Sequence, residues 1–251
     1  MRKLNIYMGL LLLATCNASY AEPFDRKIKE IYSRYSVSIH YKYNRADFFP
    51  ESWRRPPMDA TGEQIPYKEA ERLLPIIEKF ILAYPPSFMK THLADIYLMG
   101  NLTGFGKRYG ASYNVDPDVI YVTSQGAENG DSDELILSQL HSEFSSILMR
   151  KHKFSEAVWN TINPAGFRYS GTGVEMLGRP DLYAQDPELL SKGFLFVYSQ
   201  SSLENDLNMI AFWLFTRPKQ LKELCGKYEK LRLKTDLVVS FYRSIGISTQ
   251  L

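Results

Sequence analysis

The stretch Leu140-His141-Ser142-Glu143-Phe144-Ser145-Ser146-Ile147-Leu148 sits inside a run from Ser132 to Lys151 that reads as one helix. Ser132 or Asp131 supplies a cap, and acids fill the first turn, where the helix dipole favours negative charge. At 3.6 residues per turn, Ile136, Leu140, Glu143 and Ile147 share one side, so Glu143 is expected to be partly buried. Ser138, Ser142, Ser145 and Met149 form an adjoining stripe of mostly small residues. Such a stripe lets another helix or a ligand come close. The spacing leaves two readings open: a packing helix whose glutamate snorkels or pairs with a base, or a helix that carries chemistry.

Moving outward, Val119 to Thr123 is a short β-rich strand, and Asn101 to Pro117, rich in glycine and tyrosine, reads as a loop or hairpin. His92 to Met99 is expected as a strand. Tyr67 to Tyr84 carries Ala70, Leu73, Leu74, Ile77, Phe80 and Ile81 at helical spacing, and Pro85-Pro86 stops it. Phe24 to Tyr35 predicts a helix with Asp25 as a possible cap. Ser36 to Tyr43 predicts a strand, and Asn44 to Gln64 a long loop. On the other side, Phe154 to Gln185 reads as irregular. Ser201-x-x-Glu204 fits a capping box opening a helix through Phe215. Pro218 opens another helix, and Asp236 to Ser244 predicts a last one. The simplest architecture is a single α+β domain, a small sheet packed with several helices.

The first residues have the pattern of an export signal: Arg2 and Lys3, an apolar Ile6 to Ala14, then Ser19-Tyr20-Ala21. Residues 1–21 are therefore expected to be a leader and 22–251 the mature domain, in the periplasm or secreted. A second processing route uses Leu13-Ala14-Thr15-Cys16 as a lipobox, with Cys16 lipidated and the protein anchored in the envelope. Losing Arg2 and Lys3 with the leader leaves 28 basic and 28 acidic groups, a neutral balance that argues against nucleic-acid binding. No later stretch is apolar enough for a transmembrane segment. Cys225 then has no internal partner and reads as a core or surface thiol.

The segment around Glu143 resembles the zinc-helix region of the zinc-binding metallopeptidases that bacteria export, often as lipoproteins. Ile96-Tyr97-Leu98, Tyr109-Gly110, Ile120-Tyr121-Val122, Gly193-Phe194 to Tyr198-Ser199, Ser201 to Leu207 and Lys230 to Ile247 extend the resemblance in order along the chain. It implies a zincin-like fold, and a zinc ion held by H-E-x-x-H, with the glutamate activating water. Glu143 matches that glutamate, the general base of an active site. Ser142 and Ser146 stand at the two histidine positions, and neutral hydroxyls are poor zinc ligands. A third ligand is implied in the Glu204/Asp206 segment. His141 points about 100° around the helix from the first ligand position. His40 and His92 fall on expected strands.

Three functions follow. The first is a zincin-like protein with a degenerate or altered metal site that binds a peptide or protein partner. The second is a working metallohydrolase using atypical ligands such as His141, Asp206 and Glu204. The third is a non-catalytic envelope interaction protein in which Glu143 and the serines serve packing. Zinc is a possible cofactor of the first two.

Overall fold

The computed structural model describes residues 23–42, 49–249 and 251. The expected leader and the lipobox lie outside them. Among the described residues, six strands form one sheet in the order β1 (Ser38–His40), β3 (Asp95–Gly104), β6 (Asp118–Thr123), β5 (Ala111–Val115), with β2 (Thr61–Gln64) and β4 (Lys107–Arg108) pairing on β3. β1 and β6 run parallel to β3, while β2, β4 and β5 are antiparallel to their partners. β5 is thus an edge strand, antiparallel to its neighbour.

Side chains of β3 and β6 alternate between the two faces of this sheet, as the pleat requires. Ile96, Leu98, Ile120 and Val122 enter the main core beneath the helices. Met99, Val119 and Tyr121 face the other way, and a register slip at Gly100 brings Leu102 to that face too, in a smaller cluster closed by Phe49 and Ala60, with Trp53 and Met58 packed on it.

The helices are α1 (23–35), α2 (Tyr67–Leu82), α3 (Pro86–His92), α4 (Asp133–Lys151), α5 (Glu156–Ile162), α6 (Pro187–Ser191), α7 (Leu203–Thr216), α8 (Pro218–Lys227) and α9 (Glu229–Ser244). α4 is the central one. It packs on β5 and β6, on α2 and on α7, which is why residues on nearly every side of it are buried. Its N-cap is Ser132, whose side chain accepts from the Leu135 amide. Arg72 of α2 pins that end by bonding to Glu69, Ser124, Asp133 and the Asp131 carbonyl. The buried Asp131 carboxylate accepts from the Gln125 amide and from Arg108, tying the hairpin before β5 to the start of α4.

Several expectations need correction. His92 ends α3 instead of lying on a strand; β3 begins at Asp95. The hairpin alternative for 101–117 holds, as the end of β3 turns back antiparallel into β4 before β5, whereas the expected loop at 44–64 ends in β2. The strand at 36–43 pairs only over Ser38–His40, with Ser36 left-handed at φ 56°. Asp25 lies within α1, where it accepts from Tyr41. α7 is capped by Ser202, not Ser201, so Glu204 is its second residue and no capping box forms. The irregular region contains α5, and α9 starts earlier than expected. Cys225 is a free, partly buried thiol whose Sγ lies 3.4 Å from Thr235 Oγ1.

Candidate functional site

A cleft of about 140 Å³ lies beside α4, lined by Gln139, Ser142 and Glu143 of that helix. Tyr109, Gly110 and Ala111 at the start of β5 line one side. Thr172, Gly173 and Tyr183 of the segment 163–186 between α5 and α6, Tyr198, and Asn205 and Asn208 of α7 complete the wall. Two glycines set its shape. A Cβ on Gly110 would meet the Gln139 amide at 2.0 Å, so glycine is what lets that side chain lie against the hairpin. Gly173 is left-handed at φ +90°, and a Cβ there would meet Asn205 Nδ2 at 2.4 Å.

Glu143 is half-buried and lines this cleft. Burial, with a contribution from the Glu204 charge, pushes its carboxyl up to about 8. Among the described residues it has no hydrogen-bond or ion-pair partner. The two serines beside it are committed elsewhere. Asn208 Nδ2 donates to Ser146 Oγ at 2.7 Å, and Ser142 Oγ donates to the Asn208 carbonyl at 3.5 Å. All three residues are buried, so Ser142 and Ser146 lie in the seam between α4 and α7.

The remaining candidates are dispersed. His141 shares a 2.8 Å hydrogen bond with Tyr84 through Nδ1, and its ring stacks on Phe215 at 4.6 Å. Burial takes its imidazole down to about 3, so it is neutral. It borders a separate groove between α2 and α4. Glu204 accepts from Tyr113 at 2.7 Å and pairs with Arg150 at 2.8 Å, joining β5, α7 and the end of α4. Asp206 has no solvent exposure. Its Oδ2 accepts from Lys234 at 2.6 Å and from Tyr169 at 2.8 Å. Burial pushes Asp206 up to about 6, against the opposing pull of Lys234, and burial also lowers the lysine. His40 bonds to Asp95 at 2.6 Å, and His92 meets His152 at 2.8 Å. The sequence did not single out Lys234, Asn208 or Tyr198. A lysine within the apolar spacing of the last helix was the one available signal for the first.

A profile of the putative zinc-binding metallo-peptidase family matches residues 18–247. The chain belongs to that family. A solved structure of a putative zinc-binding metallo-peptidase from Bacteroides caccae is similar in fold, with a TM-score of 0.60 over 89% of this chain and 85% of that one, at 17% identity. No curated protein matches. The α+β architecture expected from sequence, a small mixed sheet packed with several helices, is thereby borne out.

Membership of the family implies a zinc ion, and the side chains here test whether one fits. Ser142 and Ser146 spend their hydroxyls on Asn208, and Asp206 is neutralised by a lysine ammonium. Among the described residues, no three of histidine, cysteine, aspartate and glutamate are placed to hold a metal together. These residues do not form a zinc-ligand set. No helix among the described residues is long and apolar enough to cross a membrane.

Proposed function

We propose that this chain is an exported metallopeptidase-like protein whose metal-binding positions have been rebuilt for helix packing, and whose cleft holds a peptide or protein partner without hydrolysing it. The observation that carries the reading is the single Asn208 side chain and carbonyl engaging both Ser142 and Ser146. An imidazole at either position would have to displace that interlock. Glu143, left without a ligand-bearing partner on its own helix, still faces a cleft next to an edge strand. Among the described residues β5 pairs with β6 alone, so its far side offers backbone groups to an extended peptide. Export is supported by the basic, apolar and small-residue pattern of residues 1–21.

Metal analysis of the purified protein, with a peptide-cleavage assay in the presence and absence of chelator, tests this. We expect less than a tenth of an equivalent of zinc (an order-of-magnitude bound for a site without its ligand set) and no chelator-sensitive cleavage. Stoichiometric, tightly held zinc would overturn the reading and restore the hydrolase.

A further inference from the structure

Among the described residues, Glu143 supplies the one carboxyl group lining the cleft, and no lysine, arginine or histidine lines it. Two more acceptors sit in its wall. Gln139 Oε1 and Asn208 Oδ1 are both buried without a hydrogen-bond partner. The donor end of Asn208 is used on Ser146, and the Gln139 amide lies against Gly110. Beside this unpaired acid, the wall thus holds two buried amide oxygens with no donor of their own. Tyrosine rings add to this: Tyr109, Tyr183 and Tyr198 all border it, and Tyr183 is half exposed at its mouth. The Glu143 charge is close enough to disfavour ionisation of both Tyr183 and Tyr198. An unpaired acid beside π faces selects a ligand that donates hydrogen bonds and carries positive charge.

We infer that the cleft is a receptor for the guanidinium group of an arginine side chain on the docking peptide or protein. This rests on the partner-binding reading above and names its ligand chemistry. Guanidinium suits the site better than ammonium: its planar fork offers five donors in fixed directions, it stacks on aromatic rings, and it is less strongly hydrated. The small volume admits one side chain, not a whole drug-sized molecule.

The test is isothermal titration of the purified protein with a capped Ala-Ala-Arg-Ala-Ala peptide, the same peptide with citrulline or lysine in place of arginine, and free argininamide. Glu143→Gln and Tyr198→Leu are titrated alongside, with folding checked by circular dichroism. The arginine peptide should bind, and citrulline should weaken it by about tenfold or more, the worth of a charge-assisted hydrogen bond. Glu143→Gln should have a similar effect, and lysine should fall between. Equal binding of arginine and citrulline peptides, or undiminished binding of the arginine peptide by folded Glu143→Gln, would overturn the inference while leaving a peptide-docking cleft. Argininamide binding with no peptide binding would support the cation site and refute the peptide reading. No binding by any of the probes overturns both.

Discussion

Replacing Lys234 by methionine separates a structural Asp206 from a metal-binding one. In the native protein Lys234 Nζ lies 2.6 Å from Asp206 Oδ2 and 3.9 Å from the centre of the Phe194 ring, with both charged side chains fully buried. Methionine keeps the volume and suits the contact with Phe194 and Trp159, so the packing change costs less than about 1.5 kcal/mol. The dominant effect is the carboxylate left without its cation, which costs roughly 3–5 kcal/mol. For a chain of this size that lowers Tm by about 6–20 °C. The pH dependence identifies the cause. Burial raises Asp206 in the folded state to about 6, above its unfolded value of about 3.9. Its contribution to stability is therefore full below about pH 4 and lost as pH rises to about 6. Without Lys234 the folded value climbs further, so the loss continues above pH 6, at up to about 1.4 kcal/mol per unit. Urea unfolding followed by tryptophan fluorescence at pH 5 and pH 8 should show a small deficit at the first and a large one at the second. The Asp206→Asn/Lys234→Met pair should recover most of it. A Lys234→Met protein of native stability at pH 8, or one equally weakened at both pH values, would refute the reasoning.

Ser146→Ala strips a buried Asn208 donor of its acceptor and should cost about 1–3 kcal/mol, whereas Ser142→Ala loses only a 3.5 Å contact and should stay within about 0.5 kcal/mol; equal losses in urea unfolding would refute the assigned interlock. Gly173→Ala should destabilise by about 1–2 kcal/mol through its left-handed backbone, and its methyl should push Asn205 and Tyr198 into the cleft and weaken ligand binding; unchanged stability and affinity would count against this geometry. His141, held near 3 by burial, should show no imidazole titration between pH 5 and 8 in NMR spectra, and a titration midpoint inside that range would mean it reaches solvent or a charge partner.

The parts of the fold that were legible in sequence are those whose signal is local. α2 and α4 announce themselves by apolar spacing, a proline stop and a serine cap, and β6 by a run of β-branched residues. What was not legible depends on partners far along the chain. β2 contains no aliphatic residue and is a strand only because β3 presents an edge to it. His92 looked like the start of β3, but Pro86 opens a short helix that consumes it. At the site, half-burial of Glu143 followed from helix geometry. The fates of His141, Glu204 and Asp206 did not, because Tyr84, Arg150 and Lys234 lie too far away in sequence to be paired with them in advance.

The interlock forms part of the cleft wall, since Ser142 and Asn208 both line it, but their polar groups are spent across the α4–α7 seam, so the seam is closed while the cleft stays open at Glu143. Ser142 and Ser146 are one turn apart and meet the same residue of α7, so a single asparagine fixes both the separation and the register of the two helices. An imidazole at Ser146 alone would overpack a buried seam, at about 1–3 kcal/mol, and would leave Asn208 with a second unsatisfied group. Restoring a metal ligand therefore demands at least three coordinated changes, at Ser142, Ser146 and Asn208, plus release of Asp206 from Lys234. Glu143 takes no part in the seam. Its carboxyl stays half-buried, unpaired and turned to a cavity, a costly arrangement for a group kept only for packing. Nothing in the α4–α7 interface needs an acid there, so the physical case for a ligand at Glu143 survives the case against a metal beside it.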